Sequence, residues 1–169
     1  MMNNRYSFRY RDYDYRRNGA YHVVICSHER RNVFGEIRDG QMRLNRFGII
    51  VDEEWYLSSE KRAEIVLDTF VIMPNHVHGL VFIAWPDDQT FEVPPETPVV
   101  TPASLGAFVR GFKSAVTKRI GEQRGQQTLV WQRLYWDRII RDERELENTR
   151  RYIEENPAQW ENDELNAKP

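Results

Sequence analysis

The chain is predicted to be an α+β domain with a central, largely antiparallel β-sheet flanked by helices. Short β-branched and aromatic runs are bounded by turn signals, and two other stretches carry apolar residues at helical spacing. Together they give the order strand, hairpin, helix, hairpin, helix, strand, helix, which suits helices packed on an antiparallel sheet. With 169 residues, 40% hydrophobic and 30% charged, the chain fits one domain (1–169) with a real core.

The elements follow in order. Residues 20–27 (Ala-Tyr-His-Val-Val-Ile-Cys-Ser) read as a central strand. Residues 33–44 read as a hairpin turning at Arg38-Asp39-Gly40, a turn signal of the Asp-Gly type. Asn45 is the expected N-cap of a helix reaching about Ser58, with Phe47, Ile50, Val51 and Trp55 on one side. Residues 66–73 and 76–83 form a second hairpin around Pro74-Asn75. Residues 85–102 hold five prolines without periodicity and are expected to be a surface loop. Leu105, Phe108, Phe112, Val116 and Ile120 then mark a helix that faces the core. Residues 129–140 read as a strand, and Asp142 starts a last helix expected to stop at Asn156-Pro157, since a residue before proline resists α geometry.

His76-Val77-His78 carries the chemistry. In a strand, residues i and i+2 project from one face, so the two imidazoles stand side by side while Val77 points into the core. Such a pair is half of a metal site. A bland reading as two histidines on a half-exposed strand face is open on these residues alone. For a third ligand, His22 and His28 lie near an early strand with nothing to fix their distance, and read as structural or surface residues. Tyr152 and Asn156 are spaced i, i+4 on the last helix and so share one face. Asn156 could give an oxygen to a metal and Tyr152 a phenol to whatever the metal holds, although many helices carry such a pair.

Charge and cysteine usage narrow the classes. The single cysteine, Cys26, excludes an internal disulfide and a cysteine-based zinc site. No apolar run reaches membrane-spanning length, and the polar, basic start is unlike a signal peptide, so no membrane partner and a cytoplasmic location are expected. The net charge is −2, but it is unevenly spread. Residues 1–18 form a basic and aromatic arm, in which Arg9 and Arg11 alternate with tyrosines. Residues 101–141 hold eight Lys or Arg against Glu122 and Asp137. Such asymmetry suits a phosphate-binding surface, and equally a set of solvated helix faces.

Met73-Pro74-Asn75-His76-Val77-His78-Gly79, Ser104-Leu105-Gly106 and Phe112-Lys113-Ser114 together resemble the single-tyrosine HUH transposases. Trp131-Gln132-Arg133, Tyr135-Trp136-Asp137-Arg138-Ile139-Ile140-Arg141 and Arg151-Tyr152-Ile153-Glu154-Glu155-Asn156-Pro157 are similar to the REP-associated tyrosine transposases in particular. Phe34-Gly35-Glu36-Ile37 and Met42-Arg43-Leu44-Asn45 fit the same family, so the likeness spans most of the chain. It implies the HUH, ferredoxin-like fold of that family.

It also implies His76 and His78 as metal ligands, Tyr152 as nucleophile and Asn156 as the residue completing the metal site. The cofactor would be a divalent metal, Mg²⁺ or Mn²⁺. The substrate would be single-stranded or hairpin DNA, cut and rejoined through a 5′-phosphotyrosine by a monomer or homodimer. Arg110, Lys113 and Lys118 are candidates for positioning phosphates, with Arg138 near the tyrosine. Tyr135 is the rival nucleophile. The alternative function is a catalytically silent DNA hairpin-binding module. A hydrolytic metalloenzyme fits less well: amidohydrolase barrels need a longer chain, and a cupin would need a further Glu and His at a clear spacing.

Overall fold

Strand β1 (Gly19–Cys26) runs antiparallel to both β5 (His76–Ile83) and β6 (Trp136–Ile140), and β4 (Ile65–Ile72) pairs antiparallel with the far side of β5. The resulting four-stranded sheet has the order β4-β5-β1-β6. The computed structural model describes residues 18–84 and 104–166, so Arg9, Arg11 and the proline-rich connection at 85–102 lie outside the described residues.

Three helices cover the sheet: α1 (Arg46–Glu60), α2 (Leu105–Arg124) and α3 (Glu143–Glu155). Each begins on a side chain able to accept from orphan amides. The Asn45 carboxamide oxygen accepts from Phe47 N at 2.8 Å, Ser104 Oγ from Ala107 N at 3.2 Å, and Asp142 Oδ1 from Glu145 N at 2.8 Å. The small hairpin of β2 (Gly35–Arg38) and β3 (Gln41–Leu44) turns through Asp39 and Gly40, both at positive φ (52° and 70°), as an Asp-Gly two-residue turn requires.

Strand alternation sorts the core into two layers. Tyr21, Val23, Ile25, Val77 and Val81 project onto α1 and α2, meeting Ile50, Trp55, Phe108, Phe112 and Val116. On the opposite face Ala20 and Leu80 meet Leu146 and Ile153 of α3. The first layer is large; the second is small, and it leaves the face beneath α3 open for polar groups. Gly79 is fixed by this arrangement, because a Cβ there would lie 2.4 Å from the ring of the fully buried Trp55.

Two elements differ from the sequence expectation. Only Trp136–Ile140 of the expected 129–140 strand pairs with the sheet. Ahead of it the chain makes one bridge, Trp131 with Ser27, and Lys113 Nζ satisfies the carbonyls of Gln132 (2.6 Å) and Arg133 (3.0 Å). Val130 and Trp131 are buried there as anchors, not as alternating strand residues. The last α-helix ends at Glu155 as expected, but a 3-10 helix follows it directly. Asn156 keeps helical angles (φ −54°, ψ −44°), and Pro157 sits at the start of a 3-10 helix, Asn156–Asn162, where its missing N–H leaves no partner wanting.

Candidate metal and tyrosine site

Pairing β1 with β5 puts Cys26 opposite His76, Val24 opposite His78 and His22 opposite Leu80. His22, His76 and His78 therefore share the face that α3 crosses, with His22 diagonal to His78. All three are buried, His76 completely. The Nε2 atoms of His76 and His78 converge to 3.0 Å.

The orientation of His76 is set from behind. Its Nδ1 lies 2.7 Å from the Asn75 carboxamide oxygen. The Asn75 nitrogen donates to the carbonyls of Arg30 (3.1 Å) and Leu165 (2.7 Å), so the oxygen is left to accept from His76 Nδ1–H. His76 Nε2 then carries the lone pair. On the other ring, His78 Nδ1 meets His22 Nε2 at 3.1 Å. Burial holds all three rings neutral at ordinary pH, aided by neighbouring positive charge. It lowers His22 to about 4 and His76 to about 3, with Arg138 and Arg30 adding to the effect, and it lowers His78 well below its usual value. Neutral imidazoles are the form that ligates metals.

Tyr152 and the histidine pair are brought together. From α3 its ring stands edge-on to His78 with centroids 5.4 Å apart, and 6.1 Å from the His22 ring. The side chain is 53% exposed, so the phenol opens to solvent while its neighbours are sealed. Asn156, one turn on, is buried, and its Oδ1 has no hydrogen-bond partner among the described residues. The rival Tyr135 is half-buried and packs against the α1–α2 core.

The 3-10 helix folds back and delivers a carboxylate that the sequence reading passed over. Asp163 Oδ2 lies 3.6 Å from His76 Nε2, and the candidate ligand atoms of His76, His78 and Asp163 all fall within 4.8 Å of one another. Asp163 Oδ1 accepts from Leu165 N at 2.7 Å, which leaves Oδ2 buried and without a hydrogen-bond partner among the described residues. Burial pushes the Asp163 carboxyl above its usual range. Two imidazoles and a carboxylate with an orphaned oxygen form a donor set that fits a divalent cation.

His22, His78, Tyr152, Asn156 and Asp163 line one open cleft of about 1260 Å³, from which His76 is sealed. Arg30, Arg138, Arg141 and Arg144 line it together with Asp142, Glu145, Asp163 and Glu164, so its charges are mixed, and Trp136 supplies an aromatic face. Arg138 is ion-paired with Glu145 at 2.5 Å. Arg110, Lys113 and Lys118, expected to position phosphates, all lie on α2, whose core packing is on the other face of the sheet. Lys113 is committed to the carbonyls named above, and Lys118 lies 3.9 Å from Glu122.

His22 and Asp163 are the two groups the sequence reading missed. For His22 the usable signal was alternation with Val24 in a strand, but the β1–β5 register is a tertiary fact. For Asp163 no local spacing pointed back to the histidines, because the route through Pro157 was expected to end.

No protein-family model matches the chain. It is 34% identical to an uncharacterized protein of Haemophilus influenzae over 97% of this chain and 94% of that protein. A solved structure of a REP-associated tyrosine transposase bound to a REP hairpin matches with a TM-score of 0.62 at 17% identity, covering 89% of this chain and 73% of that one.

Proposed function

For a chain that belongs to one family with the Haemophilus influenzae protein and has the fold of a REP-associated tyrosine transposase, we propose metal-dependent nicking and strand transfer on single-stranded or hairpin DNA. One observation carries the proposal. Two buried, neutral imidazoles, His78 lining the cleft and His76 sealed beside it, converge within reach of an orphaned carboxylate oxygen of Asp163, and the exposed Tyr152 ring stands against His78.

His76, His78 and Asp163 would hold the cation, with Asn156 as a further oxygen donor. When bound, such an ion polarises a non-bridging phosphate oxygen as a Lewis acid. Imidazole ligands favour later metals than Mg²⁺, so Mn²⁺ is expected to serve at least as well. Tyr152 Oη attacks the scissile phosphorus, the P–O3′ bond breaks, and the products are a 5′-phosphotyrosine and a free 3′-hydroxyl. The phenolic proton leaves to water, and the 3′ oxygen takes up a proton as it departs. One phosphodiester replaces another, so rejoining needs no external energy source. Arg138, Arg141 and Arg144 at the rim suit backbone phosphates, and the Trp136 face suits an unstacked base. The location that goes with DNA chemistry is the cytoplasm, and no helix among the described residues is long and apolar enough to cross a membrane.

The test is incubation with labelled single-stranded DNA hairpins and Mn²⁺, followed by a denaturing gel. The wild-type protein is expected to form a covalent adduct, and Tyr152→Phe to lose it while binding hairpins within a few-fold. An adduct that persists in Tyr152→Phe moves the nucleophile to Tyr135. Binding without any adduct in the wild type leaves a hairpin-binding module.

A further inference from the structure

We infer that His22 is a positioning residue: its Nε2 accepts the hydrogen on His78 Nδ1 and so aims the His78 Nε2 lone pair at the site. The inference rests on the metal reading above and adds a residue to it. The contact is 3.1 Å long and buried on the sheet face beneath α3, between rings whose planes are 22° from parallel and whose centroids lie 5.3 Å apart, a separation that suits rings meeting edge to edge through a hydrogen bond. A ring-to-ring hydrogen bond needs one hydrogen between the two nitrogens. When His78 offers Nε2 as a ligand its own hydrogen must be on Nδ1, and His22 Nε2 is the acceptor facing it.

His22 plays for His78 the part that the Asn75 oxygen plays for His76 at 2.7 Å. Each ligand ring is thus held by a partner on the nitrogen it does not use, an outer support that orients the ring and raises its basicity. His22 is buried and flanked on both sides. It is paired opposite Leu80 on one side and Arg138 on the other, and the Trp136 ring stands edge-on at 5.4 Å. Because His22 takes the acceptor role through Nε2, its own hydrogen belongs on Nδ1.

The experiment measures Mn²⁺ binding to the full chain by calorimetry for the wild type, His76→Ala, His22→Leu and His22→Gln. Circular dichroism serves as the check on fold. Loss of an outer-shell partner is expected to weaken binding about 10- to 100-fold in His22→Leu. His22→Gln retains an acceptor oxygen and is expected to recover most of that loss. A second readout needs no variant: in the Zn²⁺-loaded wild type, ¹⁵N ring shifts should place the His22 hydrogen on Nδ1, leaving Nε2 bare.

Wild-type affinity in a folded His22→Leu overturns the inference alone, provided His76→Ala has lost binding. A His22→Gln as weak as His22→Leu overturns it too, since packing and not an acceptor would then matter. A hydrogen found on His22 Nε2 in the loaded protein does the same. If the wild type binds no Mn²⁺, or His76→Ala binds as well as wild type, the metal reading fails and takes the inference with it.

Discussion

Asp163 and Asn156 each present a buried oxygen without a hydrogen-bond partner among the described residues, and both border the cleft that holds His78 and Tyr152. They differ in charge. A carboxylate offsets a divalent cation's charge and attracts it through space, whereas a carboxamide contributes only a dipole. Asp163 also sits within reach of His76 Nε2, at 3.6 Å. Asp163→Asn is therefore expected to weaken Mn²⁺ binding by about tenfold or more, and Asn156→Ala by less, each an outer or inner donor lost from a multi-ligand site. Calorimetric titration of both variants decides the order. A larger loss in Asn156→Ala would return the third ligand to the position the tyrosine spacing suggests. His-x-His on a strand has one geometric consequence, two imidazoles on one face, and the structure brings them together. Tyr152 and Asn156 at i, i+4 carry no such force, and Tyr152 is singled out by the family resemblance. His22 and Asp163 carry no such local mark, since each owes its place to a register or a chain reversal set by distant residues.

At the level of elements, what matters is how α3 is held over the sheet. Its apolar contact is slight, with Leu146 and Ile153 meeting Ala20 and Leu80. A forked ion pair supplements it: Arg150 Nε lies 3.1 Å from Asp68 Oδ1, and Arg150 Nη2 lies 2.8 Å from Asp68 Oδ2. Arg150 is two residues before Tyr152, so the fork sets the pitch of the helix that presents the phenol. The hydrogen bonds from Arg150 lower the Asp68 carboxyl to about 2, helped by those from Thr69. The folded value is depressed below the ordinary 3.8, so the contribution to stability is complete above about pH 4. It is lost as pH falls from there toward 2. Asp68→Asn is thus expected to have a lower Tm than wild type at pH 7, with the gap narrowing below pH 4. Adduct formation should fall more than hairpin binding, because the phenol and not the rim is displaced. A Tm gap that does not change with pH would mean the fork contributes through packing alone. The helices were legible from their caps and stripes, and α3 ends at Glu155 as expected, but the 3-10 helix that follows it was not foreseen. The bias of a pre-proline residue toward extended angles is a preference, and Asn156 keeps helical angles against it.

For the whole molecule, the four-stranded sheet acts as a wall between a large apolar layer and a small polar one. The α+β class and its antiparallel sheet could be read in advance because each strand and helix carries its own period. Which face carries the cleft could not be read, since charge counts along a chain do not say on which side of a sheet a helix packs. The basic residues of α2 looked attractive in sequence, yet α2 packs on the face away from the histidines. Arg141 and Arg144 instead border the cleft at the start of α3. Each phosphate contact made by a cation releases condensed counterions, so its loss lowers the slope of log Kd against log salt by about 0.7 to 0.9. Replacing Arg141 and Arg144 together by Ala is expected to weaken hairpin binding about tenfold or more near physiological salt and to flatten that slope by about 1.4 to 1.8. Replacing Arg110 and Lys118 together, a change of equal charge on the far face, should leave the slope within about 0.3 of wild type. Fluorescence anisotropy of a labelled hairpin across a salt series measures both. Equal losses from the two pairs would mean that overall charge, and not the cleft face, draws the DNA in. A loss confined to Arg110 and Lys118 would put the nucleic acid on α2, with only a single-stranded end reaching round to Tyr152.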